Sequence, residues 1–191
     1  LSFAISGGYN RLPRKMEDEM DKKVLVAYAT KYGATAEIAE KIGEVLSEAG
    51  LPNDVLPADK VGDLTPYQAV VLGSAVYMGK WRDEAAKFLE ANEDALAERP
   101  VWLFSSGALG EGDPVELMQG WRFPEAQQEV AERIQPRDIA FFHGVLDTER
   151  LSVPERLIAK GIKAPTGDFR DWEAITSWAK AIVDSLKREA A

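Results

Sequence analysis

The alternation of two hydrophobic patterns constrains this chain most. A continuous apolar, β-branched run, KVLVAYA at 23–29, is followed by residues at helical spacing, Ile38, Ile42, Val45, Leu46 and Ala49. A run without polar alternation reads as a strand covered on both faces. Gly50 and Pro52 then stop the helix. The alternation recurs. NDVLPA (53–58) is a weaker strand and QAVVLGS (68–74) a buried one, and Trp81, Ala85, Phe88 and Leu89 share a helix face. PVWLFSS (100–106) is a fourth strand, and Val130 and Ile134 mark a short helix in the long connection 111–137. DIAFFHGVL (138–146) is a fifth strand, and Ile175, Ala179, Ile182, Val183 and Leu186 mark a final helix. Strand and helix alternating in this way predict an α/β chain, an open parallel sheet with helices on both faces.

Such sheets bind ligands beyond the carboxyl ends of their strands, where strand order reverses. The informative loops are therefore 30–35, 74–81 and 105–112. The first, TKYGAT, lies between a strand and a helix, so its amides can converge on an anion. Thr30 and Thr35 add hydroxyls, Gly33 lets the backbone curl close, and Lys31 is its only charge. Neither the nucleoside-triphosphate loop nor the dinucleotide fingerprint is present. Neutral donors suit a single phosphate monoester; the alternative is an ordinary helix-capping turn. The second loop, SAVYMGKW, carries Tyr77, Met78 and Trp81. Flat apolar side chains there suit an aromatic ring system, although the spacing of Trp81 to Ala85 and Phe88 assigns it to the helix's buried face. The third, SSGALGEGD, lets main chain approach a ligand edge through its glycines and offers serine hydroxyls. Its alternative is a flexible lead into the long connection. Together the loops fit a planar ring with a phosphorylated tail.

Composition narrows the field. The absence of cysteine excludes disulfides, cysteine nucleophiles, iron–sulfur clusters and thiolate zinc sites. It is compatible with a cytoplasmic location. Lys and Arg total 23 against 32 Asp and Glu, a net charge of −9. An acidic chain without a basic run is a poor nucleic-acid binder, and it suits basic protein partners by steering. No apolar run approaches the roughly 20 residues that span a bilayer. Residues 1–21 lack the apolar stretch of a secretory signal. They read as a leader or upstream extension, with Met16 and Met20 as plausible starts, ahead of a single domain over 22–190.

YATKYGAT resembles the T-x-x-G-x-T phosphate loop of flavodoxins. VLGSAVYMGKW, RPVWLFSSG and GDFRDWEAITSWA resemble the flavodoxin-domain branch that includes menaquinone-dependent protoporphyrinogen oxidase. The resemblance runs from about Lys22 to Leu186. It implies a three-layer sandwich whose five-stranded parallel sheet has the order 2-1-3-4-5. It also implies FMN as cofactor. Thr30, Lys31, Tyr32, Gly33, Ala34 and Thr35 would enclose the phosphate. Ser74, Ala75, Val76, Tyr77 and Gly79 would line one side of the ring, and Ser105, Ser106, Gly107, Ala108, Leu109 and Gly110 the other. Typical electron-carrier flavodoxins place an aromatic residue in the third loop, and this chain has none there. The flavin would do the chemistry, so no protein nucleophile or metal is expected.

Three functions follow: an FMN-dependent oxidoreductase acting on a porphyrinogen or other planar substrate with a quinone acceptor, an electron carrier working with a redox protein, and a flavin-free binding module. The long connection 111–137 favours the first, because an insertion beside a site can shape a substrate pocket. ERLSVPERLIAKGIKAP (149–165) has four basic residues beside Leu157, Ile158 and Ile162. It reads as a helix packed on the sheet edge with solvated charges, or as a peripheral contact with an anionic membrane. His143, the only histidine, follows IAFF and reads as structural. Glu111 and Asp113 lie beside the third loop, where they could meet a cationic substrate. Asp168 reads as the cap of the last helix, with Trp172 packing inward.

Overall fold

The computed structural model describes residues 23–190; the reading of residues 1–21 falls outside them. The strands are β1 (Lys23–Ala29), β2 (Asn53–Pro57), β3 (Tyr67–Tyr77), β4 (Lys80–Trp81), β5 (Val101–Ala108), β6 (Asp138–His143), β7 (Val145–Leu146) and β8 (Gly167–Asp168). The helices are α1 (Ala34–Glu48), α2 (Asp83–Ala91), α3 (Glu93–Ala97), α4 (Pro114–Leu117), α5 (Gln128–Ile134), α6 (Val153–Gly161) and α7 (Trp172–Glu189). The main sheet runs β2-β1-β3-β5-β6, all parallel. This is the order expected from the sequence once the two-residue β4 is set aside. The reversal lies at β1 and β3, so the first and second loops open side by side.

Because both faces are covered, each central strand splits its apolar residues by parity. Leu25, Ala27, Val70, Leu72 and Leu103 pack with Phe88 and Leu89 of α2, Leu96 of α3 and Ile134 of α5. Val24, Val26, Val71 and Phe104 pack with Ile38 and Ile42 of α1 and with Ile175 and Ile182 of α7. Phe104 is fully buried. Its ring lies over Gly73, where an added Cβ would stand 1.9 Å from Cζ. The glycine in the middle of β3 is therefore a packing requirement of its neighbouring strand.

Three elements depart from the sequence reading. The fifth strand stops at His143: Gly144 packs against Gly107, with an added Cβ only 2.9 Å from the Gly107 Cα. The chain then turns aside as β7, which pairs antiparallel with β8, and residues 147–166 form an excursion between the two. Trp81 is buried, but on β4 and not on the α2 face. Val76 pairs with Trp81 and Tyr77 with Lys80, so Met78 and Gly79, both at positive φ, form a two-residue hairpin turn. The cap of α7 is Asp171, whose side chain accepts from the Ala174 amide. That places Trp172 at the first helical position, exposed, with the Arg170 guanidinium 4.6 Å from its ring centroid. The inward stripe begins at Ile175.

Candidate functional site

The first loop is shaped by its glycine. Gly33 caps α1 at φ 95°, a conformation that L side chains adopt at a cost. Its amide donates to Thr30 Oγ1 at 3.0 Å, and its carbonyl accepts from Glu37 N at 3.1 Å. No side chain caps this helix. Among the described hydrogen bonds none uses the amides of Ala34, Thr35 or Ala36. Three N–H groups and the positive end of the helix dipole thus face the space beyond β1.

Four hydroxyls knit the loops: one pair joins the first to the third, and the others brace the second and join it to the third. Thr35 Oγ1 and Ser106 Oγ, both buried, share a hydrogen bond of 2.9 Å. Ser74 Oγ donates to the Ala75 carbonyl and accepts from the Arg82 amide, each at 2.9 Å. Ser105 Oγ accepts from Trp81 Nε1 at 2.8 Å. These groups are turned into the framework. The structure leaves main-chain amides, the Thr30 hydroxyl and the ring of Tyr77 as the groups available to a ligand. Loops two and three approach so closely that a Cβ on Gly107 would lie 3.2 Å from the Val76 carbonyl oxygen. Gly110 and Gly112 both have positive φ, and Asp113 caps α4 through the Val115 and Glu116 amides. Ala75, Val76 and Ala108 are in the strand ends, Gly79 is in the hairpin turn, and Leu109 follows β5.

The excursion after β7 returns to the first loop, a contact that its sequence does not signal. Glu155, in the first turn of α6, accepts from Lys31 Nζ and Tyr32 Oη. It also forms a capping box with Ser152. The Lys31 bond, then Ser152 and Tyr32, hold its carboxyl down at about 2, and Glu155 in turn raises Lys31. Lys31 Nζ lies 5.2 Å from the Tyr32 ring centroid and 5.8 Å from that of Tyr77. Burial of the Tyr77 phenol, then the nearby Tyr32, raises its pKa. Two arginines reinforce the contact. Arg150 Nη1 donates to the Tyr32 carbonyl at 3.1 Å. Arg170 Nη1 donates to the Ala34 carbonyl at 3.3 Å and to Glu37 at 2.7 Å, and its Nη2 meets Asp168 at 2.6 Å. Asp168 is therefore the partner of Arg170, which lowers its pKa, and does not cap α7. The S-x-x-E pattern of 152–155 could have marked the start of α6; nothing in the sequence pairs Glu155 with Lys31.

Helix α6 itself buries no residue. Val153, Leu157, Ile158 and Ile162 are 61–72% exposed, so the expected packing on the sheet edge is not what the structure has. The excursion is held at its base by polar contacts and by the buried Leu151.

A family model described as a flavodoxin domain matches residues 25–173. The chain belongs to the flavodoxin-domain family. Within it, the chain is 22% identical over 171 residues to the protoporphyrinogen IX dehydrogenase [quinone] of Escherichia coli K12, covering 84% of this chain and 94% of the relative. This flavodoxin-domain chain is also similar in structure to oxidised flavodoxin 2 from Bacillus cereus, with a TM-score of 0.56, 21% identity, and 85% and 99% of the two chains covered. It is similar to rubredoxin oxygen:oxidoreductase from Desulfovibrio gigas, with a TM-score of 0.58 and 15% identity over 92% of this chain and 39% of that one. At these identities the likenesses establish the shared fold. Among the described residues no helix is long and apolar enough to cross a membrane.

Proposed function

We propose that this chain holds FMN across its three loops and is an oxidoreductase for a planar substrate of the porphyrinogen type, with a quinone as electron acceptor. The observation that carries this reading is the unshared amide cluster at the start of α1, tied through Thr35 and Ser106 to the glycine-rich third loop. That donor set matches a phosphate monoester, and the adjoining loops match a ring edge. The Thr30 hydroxyl and the first-turn amides would bind the phosphate. Tyr77 would cover one ring face, and the main chain of 107–110 would meet the ring's heteroatoms. FMN supplies the electron transfer when bound; the loops orient it and exclude water. The similarity to a quinone-dependent porphyrinogen dehydrogenase supports the substrate class. Anaerobic addition of a porphyrinogen and a soluble quinone to the FMN-loaded protein tests it. Formation of porphyrin at a rate that scales with enzyme is the expected result. A flavin-loaded protein that oxidises no porphyrinogen yet passes electrons to a redox protein would favour the carrier function, to which the net charge of −9 is also suited.

A peripheral membrane contact is part of the same reading. The exposed apolar residues of α6 lie beside Arg156, Lys160 and Lys163, the composition of an interfacial helix. Co-sedimentation with anionic vesicles, absent with zwitterionic ones and lost in Leu157→Ser/Ile158→Ser, is expected.

A further inference from the structure

A cavity of about 410 Å³ lies on the outer side of the third loop, away from the three-loop site. All six residues of β6 line it, so it is a groove along the strand, on the order of 20 Å long at the usual strand rise. Gly112–Val115 and Arg122 border it, as do Asp171 and Ala174.

Strand β6 ends the sheet. In a parallel pair, alternate residues turn both backbone groups toward the same neighbour. The register sets Trp102 beside Asp138 and Ser106 beside Phe142, and the Gly144 amide donates to the Ala108 carbonyl at 2.8 Å, so Asp138, Ala140 and Phe142 face β5. Ile139 and Phe141 therefore turn theirs into the groove, where no strand of the described fold pairs with them. His143 is 8% exposed, lines the groove, and has a buried Nε2 without a hydrogen-bond partner. Three carboxylates line it as well. Asp113, Asp138 and Asp171 each use one oxygen on an amide or indole N–H, and none has an ion pair among the described residues. Arg122 is the one cation on the lining. An open strand edge, an unmet imidazole nitrogen and an excess of negative charge coincide here.

We propose that this groove receives an extended, lysine- or arginine-bearing segment of a partner protein, which adds to the sheet as a strand beside β6. The guest's backbone would pair with Ile139 and Phe141, a known mode of peptide recognition. Its basic side chains would meet the three carboxylates, and its last residue would meet His143. This assignment is independent of the flavin reading.

The probe is an end-blocked peptide alternating lysine and valine, added to the isotope-labelled full chain and followed by NMR with amide hydrogen exchange. Expected is slowed exchange at Ile139 and Phe141, with Asp138, Ala140 and Phe142 unaffected. A glutamate–valine peptide is expected to bind about tenfold or more weakly, as charge reversal requires. Ile139→Pro, which removes an outward N–H that an edge strand can spare, should abolish binding. Asp138→Asn/Asp171→Asn keeps the strand and an asparagine cap and should weaken the lysine peptide selectively. No binding at millimolar peptide would overturn the proposal. So would binding without the alternating protection, equal affinity for the two peptides, or indifference to the aspartate changes. Concentration-dependent protection of the same amides without peptide would assign the groove to a second copy and overturn it too.

Discussion

The loop framework and the α6 excursion meet at Lys31 and Tyr32, yet they are held by different forces. The framework stands on strands whose side chains are almost fully buried, and its hydroxyls are satisfied inside. The excursion buries nothing along α6 and only Leu151 before it, and it is anchored by Glu155 and Arg150. Burial fixes position to within packing tolerance, whereas exposed ion pairs hold geometry at little net gain. The candidate ligand site is thus rigid on one side and tied by breakable contacts on the other.

The largest effect should come from the framework's core. Phe104→Ala empties the space above Gly73 and should cost about 3–5 kcal/mol in denaturant unfolding. Thr35→Val leaves the buried Ser106 hydroxyl without its partner and should cost about 1–3 kcal/mol, with loops one and three loosened in hydrogen exchange. Gly33→Ala forces a side chain into φ 95° and should cost about 1–2 kcal/mol, lowering FMN affinity as well. Leu157→Ala on α6 should change stability by less than about 0.5 kcal/mol. A loss comparable to Phe104→Ala would erase the contrast.

Acid should release the excursion before the framework. The Glu155 carboxyl has a folded pKa of about 2, below its ordinary 4.5. A depressed carboxylate stabilises above the unfolded value and loses that contribution as pH falls through the folded one. Limited proteolysis within 149–165 should therefore quicken between about pH 4.5 and 2. Glu155→Gln should be as susceptible at neutral pH as the parent is in acid.

What was legible in the sequence follows the same division. The runs at β1, β3 and β5 are apolar on both faces, so pattern alone located them and the three loops that follow. The strand order then came with the resemblance. Trp81 could not be placed, because spacing to Ala85 and Phe88 fits a helix as well as a hairpin that returns it to Ser105. Strand β6 ends at Gly144 because its backbone abuts Gly107, a contact between distant segments. The Lys31–Glu155 pair joins residues 124 apart. Periodicity carries local information, and these contacts are set by tertiary approach. The serines were visible as site candidates, but only the structure shows them bonded inward.

The most direct test of the account is a titration of the purified protein with FMN, followed by visible absorption and by flavin fluorescence. Stoichiometric quenching with flavin bands in the bound form, weakened in Gly33→Ala, is the predicted result. A folded protein that leaves micromolar FMN fluorescent and free would contradict it, and would make the first loop a helix-capping turn.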